Sequence, residues 1–309
     1  MARAKLKKIQ QNIIMILLLL IGIGVLVYPD VANWVNSNNE HRLIQEFNYR
    51  VALMAEAERE YELERARVFN DGLSGIHVVD PFVPGSGSIR SAEYYSILNF
   101  DGIMGRIIIP AIEVNMTIRH GTSDRVLAIG AGHMENTSFP VGGYGTHAII
   151  TAHTGMLNNR LFNDLILLDI GDEFFVEVMG QTIAYQVDRI NRVYPHEIEI
   201  LVSYEDRDLI TLVTCTPYGI NTHRLLVRGT RIEYITGMEY EIEVIVTPLN
   251  IRLIIVIGFS VLFAGIIWFY WQKKREIEED KRLDGELEAE YAEWLKSHLE
   301  LRTQSSELS

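Results

Sequence analysis

Residues 208–231 read DLITLVTCTPYGINTHRLLVRGTR. An apolar run, Asp208 to Val213, leads into Cys215, and Pro217 and Gly219 then end it. Proline lacks the N–H that a ladder needs, and glycine favours the turn. A second apolar run follows from Arg224 to Arg228. The spacing predicts a hairpin over 208–231 with Cys215 and Arg224 on adjacent strands. A nucleophile at such a strand end is expected to be held rigidly yet exposed.

Comparable runs fill residues 97–235. They are 105–110 (GRIIIP), 148–151 (AIIT), 173–178 (EFFVEV) and 183–187 (IAYQV), several with period-two alternation. Many short strands predict a mainly β domain, closed or sandwiched. His153 stands where the run 148–151 meets a turn, in ITAHTG. Asn159 to Leu168 reads as a short helix, and Glu173, Glu177 and Asp188 read as solvated strand faces. Ahead of this domain, residues 38–70 read as one helix, a spacer with a solvated stretch at Glu58, Arg59, Glu60, Glu62, Glu64 and Arg65. Residues 71–90 read as a loop marked by Gly72, Gly75, Pro81, Pro84, Gly85 and Gly87.

The chain has 309 residues, with 28 Lys and Arg against 41 Asp and Glu, a net charge of −13. That sign argues against general nucleic-acid binding, which needs a basic face. One cysteine excludes an internal disulfide, a Cys-rich zinc site and a cysteine-ligated iron–sulfur cluster.

Two segments are almost purely apolar, Ile13 to Tyr28 and Leu253 to Trp271. Each approaches the ~20 residues a membrane-spanning helix needs. The first is also short enough for a signal-peptide core, although Tyr28-Pro29-Asp30-Val31 offers no small-x-small cleavage site. Arg3, Lys5, Lys7 and Lys8 precede the first segment, and Lys273, Lys274 and Arg275 follow the second. Positive flanks predict both termini in the cytoplasm and the domain between them outside, with Trp268, Tyr270 and Trp271 in the inner interfacial belt. The expected organisation is a basic terminus (1–12), an anchor (13–28) and a helical spacer (29–70). A loop region (71–96), the β domain (97–235), a linker (236–252), a second span (253–271) and a charged tail (272–309) follow. The tail favours helix, with Leu287, Trp294, Leu295 and Leu299 toward one side.

A lone thiol in an exported domain is an intermolecular link, a buried inert residue or a nucleophile. Cys215, His153 and Arg224 suffice in kind for acyl transfer. A thiolate attacks a carbonyl, an imidazolium protonates a departing amine, and a guanidinium stabilises developing negative charge or aligns a peptide. His133 and His147 lie close in sequence to His153, but no acidic or Cys partner stands at ligand spacing, so no metal site is expected.

The run Thr211 to Arg231 resembles the signature of sortases, the cysteine transpeptidases of Gram-positive cell surfaces, and in particular their class C, pilus-assembling branch. The likeness extends upstream through Gly130-Ala131-Gly132-His133, Pro140-Val141-Gly142-Gly143, the His153 segment and Leu161-Phe162-Asn163-Asp164-Leu165. It covers roughly residues 38–272. It implies a closed β-barrel of about eight strands with short helices, no metal or organic cofactor, and anchorage in the cell membrane by two spans. It implies Cys215 as nucleophile, His153 as general acid and Arg224 as the active-site arginine. Asp80-Pro81-Phe82 resembles the class C lid, whose acid faces the arginine and whose aromatic covers the cysteine. Many members carry Trp at that aromatic position and Arg after the catalytic His, where this chain has Phe82 and Thr154. Thr151, Thr214 and His223 are further candidates for the substrate groove. The implied partners are pilin subunits bearing LPXTG-like sorting signals and an acceptor Lys. Treated as a surface ion pair, Asp80–Arg224 closes such a lid by at most about 1 kcal/mol. Rival readings are a housekeeping sortase that anchors proteins to the wall, a papain-like thiol protease, and a membrane scaffold with an inert Cys.

Overall fold

A computed structural model describes residues 2–73, 79–83, 86, 91–156, 159–201, 204–235 and 251–307. The chain divides into two units, Val25–Pro248 and the pair of segments Met1–Gly24 and Leu249–Ser309. Of the loop signals, Gly75, Pro84, Gly85 and Gly87 lie outside the described residues, as does most of the 236–252 linker.

Eight strands form a closed barrel: β1 (Ile103–Ile109), β2 (Val114–His120), β3 (Ala131–His133), β4 (Thr146–Thr151), β5 (Glu173–Val178), β6 (Gln181–Val193), β7 (Asp208–Thr216) and β8 (His223–Ile232). Around the barrel they run β1-β2-β3-β4-β7-β8-β6-β5, closing on β1. The hairpin expected over 208–231 is β7–β8, antiparallel, and β4 lies parallel on the other side of β7. Closure leaves no free sheet edge.

Strand alternation sorts the side chains of the central sheet. Ile150, Ile210, Leu212, Leu225 and Val227 enter the main core with Phe174 and Tyr185. The alternate residues Ile149, Val213 and Leu226 pack on the outer face with Val193, Ile198 and Leu201. The outer face is therefore also buried, under the connection from β6 to β7.

Helix α1 (Ala2–Leu53) and helix α2 (Glu56–Asp71) replace the single helix expected over 38–70. Ala55 is extended (φ −62°, ψ 147°) and parts them. No proline or glycine causes this break; packing does. Phe47 and Val51 of α1 seat beside Ile103, whereas Leu63 and Ala66 of α2 join the main core. The helices thus lie on the barrel rather than serving as a free spacer. Glu62, expected in the solvated stretch, accepts from the Leu98 amide (3.0 Å) and pairs with Arg65 (2.7 Å). Glu177 and Asp188 are likewise engaged, with Arg106 and with Arg228, rather than merely solvated.

Two short helices follow, α3 (Ala92–Ser96) and α4 (Asp124–Leu127). The helix expected over Asn159–Leu168 is instead a turn followed by a 3-10 segment, Leu165–Leu167. Leu161 adopts φ 38°, which breaks helical continuity.

The last helix, α5, runs Ile251–Glu307 without a break. Two helices are long and apolar enough to cross a membrane, over Leu17–Leu53 and Val256–Trp294. Their apolar side chains, among them Leu18, Val25, Phe259 and Leu262, are exposed, which fits membrane anchoring. In the tail, Leu287 and Trp294 are exposed; the side chains of Leu295 and Leu299 lie outside the described residues.

Candidate active site

Cys215 lies one residue from the end of β7, and in the β7–β8 register it stands opposite Arg224. On the other flank Thr151 pairs with Val213, and the Ala152 amide donates to the Val213 carbonyl (3.2 Å). His153 stands two residues beyond the end of β4, in a turn that Ala152 ties to Val213 and Thr214 of β7. Cys215 and Arg224 thus stand on two neighbouring strands, and the turn that carries His153 is tied to the strand of Cys215. Sequence spacing predicts the Cys215–Arg224 half; the His153 half depends on the β4–β7 pairing.

Asp80, Pro81 and Phe82 cover this face. Asp80 receives two hydrogen bonds from Arg224, Nε to Oδ1 at 2.9 Å and Nη2 to Oδ2 at 2.8 Å. The side chains are 6% and 8% exposed, so the pair is buried, contrary to its treatment as a surface ion pair. Removing one partner of a buried pair costs about 3–5 kcal/mol. The Phe82 ring lies 5.1 Å from the Arg224 guanidinium carbon and 5.4 Å from the His153 ring. It packs on the outer-face cluster of Val213 and Leu226. The ring thus spans the two groups that flank the thiol.

Burial sets the protonation state. It pushes the Cys215 thiol up to about 11; Arg224 pulls the other way and Asp80 adds to the rise. Burial also lowers the His153 imidazole below its ordinary value, with Asp124 opposing. At neutral pH the covered site therefore holds a protonated thiol and a neutral imidazole, not a thiolate and an imidazolium. For Arg224, burial is the largest single influence and favours loss of charge, but the Asp80 hydrogen bond together with the charges of Cys215 and Asp80 outweighs it and raises the value.

The remaining candidates separate. Thr151 is fully buried, and its hydroxyl has no hydrogen-bond partner among the described residues. Its place in the register puts it on the face of Val213 and Cys215. Thr214 and His223 fall on the opposite strand parity from Cys215 and Arg224. Thr214 donates to the Ala152 carbonyl (2.8 Å), stitching β7 to the His153 turn. His223 lies against Tyr194, its ring tilted 33° with centroids 4.4 Å apart. His133 and His147 are structural. His133 Nε2 donates to the Ser138 carbonyl (2.8 Å), and its Nδ1 accepts from the Tyr94 hydroxyl (3.0 Å). His147 Nε2 bonds the Thr211 hydroxyl (2.8 Å). Among the described residues no cluster of His, Cys, Asp and Glu is arranged to hold a metal ion.

A Sortase domain profile matches residues 107–232, the stretch containing all three groups. The crystal structure of sortase C-1 from Streptococcus pneumoniae is 42% identical, with a TM-score of 0.60, over 63% of this chain and 100% of that one. The chain belongs to the sortase family. Within it, this sortase is like the pilus-related class C members. Sortase C1 of Streptococcus agalactiae is 41% identical (TM-score 0.59; 64% of this chain, 97% of that one). Sortase C-1 from Actinomyces oris is 40% identical (TM-score 0.55; 58% and 99%). Curated relatives are more distant. Sortase A of Streptococcus agalactiae serotype III (strain NEM316) is 28% identical over 138 residues, 42% of this chain and 56% of that protein. Sortase A of Bacillus anthracis is 27% identical over 127 residues. The matched stretch spans little more than half the length of these relatives.

Two contributors escaped the sequence reading. Asn163 occurs in the Leu161–Leu165 run but carries no spacing signal toward His153. The apolar pair Ile198 and Leu201 precedes β7 in a connection with no strand or motif to mark it, yet supports the outer face.

Proposed function

We propose that this sortase is a pilus-assembling cysteine transpeptidase. The observation that carries the reading is the single cysteine paired in register with Arg224, with His153 in the turn that follows the neighbouring strand. In this mechanism a C-terminal LPXTG-like signal of a pilin binds along the outer face once residues 80–82 move aside. The sulfur of Cys215 bonds the Thr carbonyl carbon, and the Thr–Gly bond breaks. The thiol proton passes to His153 and then to the departing Gly amine, so one imidazole serves as base and acid. Arg224, released from Asp80, turns to the substrate carbonyls, where its charge offsets the developing oxyanion. A Lys amine of the next pilin attacks the thioester, loses its proton to His153 and leaves as an isopeptide, restoring the thiol. The chemistry draws on no cofactor.

The same reading places both termini in the cytoplasm and the barrel outside, where pilins are exported. Asp80 and Phe82 act as the lid. The test is intact mass of the full chain after incubation with an LPXTG-type peptide and a Lys-bearing peptide. A Cys215 adduct followed by a conjugate supports transpeptidation. A free Thr carboxylate despite excess amine favours hydrolysis, and transfer by Cys215→Ala overturns the assignment.

A further inference from the structure

Enzymes that pair a nucleophile with a base commonly orient the base through a third group. Here the His153 imidazole makes no hydrogen bond among the described residues; it meets only the Phe82 ring and the field of Asp124. The Phe82 contact disappears if residues 80–82 swing away. What then holds the imidazole beside Cys215 is its own backbone, and residues 152–155 are held from both sides. Toward β7, the Ala152 carbonyl accepts from the Thr214 hydroxyl (2.8 Å). On the far side, the Phe162 amide donates to the His153 carbonyl (3.2 Å).

Asn163 completes this second side. Its Oδ1 accepts from the Gly155 amide (2.8 Å) and from the Thr154 hydroxyl (3.1 Å). One carbonyl thus binds the two residues that follow His153. Gly155 holds φ +83°, and a Cβ there would stand 3.3 Å from the Gly219 amide nitrogen of the β7–β8 turn. The turn is therefore confined between Asn163 and the loop that follows Cys215. Asn163 is itself mounted firmly: its amide donates to the Arg160 carbonyl (2.8 Å), and its neighbours Phe162 and Leu165 are fully buried.

We propose that Asn163 is a positioning residue for His153: its side-chain carbonyl sets the His153–Gly155 turn and thereby the alignment of the imidazole with Cys215. The inference rests on the reading of His153 as the proton carrier. Because Asn163 acts on the turn and not on the substrate, its loss falls on kcat rather than on KM.

The test uses the full chain in detergent with Phe82→Ala to uncover the site, an LPXTG-type peptide, and hydroxylamine as acceptor. Adding Asn163→Ala lowers kcat about ten- to a hundredfold, with KM within about twofold and an unchanged melting temperature. Asn163→Asp keeps an acceptor oxygen in place. It restores most of the rate and moves the acid limb of the kcat profile upward, because a carboxylate near the imidazole favours its protonated form. Asp164→Asn, in an exposed pair with Arg160, leaves all three parameters unchanged. An undiminished kcat in Asn163→Ala overturns the proposal, as does a loss that tracks a lowered melting temperature and that Asp does not rescue. His153→Ala separates the two layers. Turnover that survives it overturns the role of His153 and this inference together; turnover lost there but intact in Asn163→Ala overturns the positioning role alone. Absence of turnover by Phe82→Ala itself counts against the transpeptidase reading.

Discussion

The carboxylate of Asp80 grips the guanidinium of Arg224 through two parallel hydrogen bonds, 144 residues apart in sequence and both buried. Arg224 Nη1 also donates to the carbonyls of Asn221 and His223, each at 3.0 Å. These bonds engage all three guanidinium nitrogens and four of the five N–H donors, leaving one Nη2 N–H for a substrate while Asp80 stays in place.

If residues 80–82 act as the proposed lid, releasing that grip uncovers the thiol. Asp80→Ala removes the two charge-assisted bonds, worth about 3–5 kcal/mol when one partner of a buried pair is lost. A tenfold change needs only about 1.4 kcal/mol. Maleimide labelling of Cys215 is expected to accelerate at least tenfold over wild type, read by intact mass over time. Equal rates would count against Asp80 as a latch.

Alkaline pH acts in the same direction. Burial holds the covered thiol at about 11 against an ordinary value of 9.0. A raised thiol value favours the covered, protonated state; that contribution is complete below about 9 and is lost as pH climbs through about 11. Iodoacetamide reactivity of wild type should keep rising through pH 10, whereas Phe82→Ala should level off at lower pH. Coincident profiles would show that the cover does not control the thiol.

Thr151 offers a test of the outer face as a binding surface. A buried hydroxyl without a partner costs about 1–3 kcal/mol, so Thr151→Val should leave the melting temperature unchanged or higher. If the hydroxyl receives a substrate N–H, the same change raises KM for an LPXTG-type peptide several-fold. Unchanged KM would assign Thr151 to packing alone.

The barrel has a tight spot at Gly229 on β8. An added Cβ would lie 2.4 Å and 2.5 Å from ring atoms of Phe174 and 3.0 Å from the Tyr185 Cβ. Overpacking of this kind costs about 1–3 kcal/mol, occasionally more. Gly229→Ala should lower the melting temperature by several degrees, and a coincident melt would show that the rings can yield.

Acid should loosen the barrel near α3. His133 is fully buried, and burial first, then His120, lowers it to about 3, with the Ser138 hydrogen bond opposing. A lowered imidazole stabilises the fold above its ordinary value of 6.5, and that stability is lost as pH falls toward 3. NMR titration should find the His133 ring neutral at pH 5; a protonated ring there would refute this assignment.

Much of the active centre was legible because its parts are local. The apolar run into Cys215, the Pro217–Gly219 turn and the return through Arg224 specify a hairpin by period-two patterning and turn chemistry alone. His153 was legible as a residue at a strand end, but the docking of its turn against β7 was not. Strands β4 and β7 are parallel and separated by β5, β6 and their connections, and no local pattern encodes a parallel register across such a distance. Periodicity likewise left barrel and sandwich open, since both present the same alternation.

The sequence by itself determined the strand-rich class, the two apolar segments, the exclusion of an internal disulfide and of Cys-rich metal sites, and the hairpin that sets Cys215 beside Arg224. These follow from composition and near-neighbour spacing. Tertiary structure decided the rest: the break between α1 and α2, the burial of Asp80 with Arg224, the neutral state of the thiol and imidazole, and the seat of Asn163 beneath the His153 turn. Each depends on how much water is excluded when distant segments meet, a quantity that residue order does not carry.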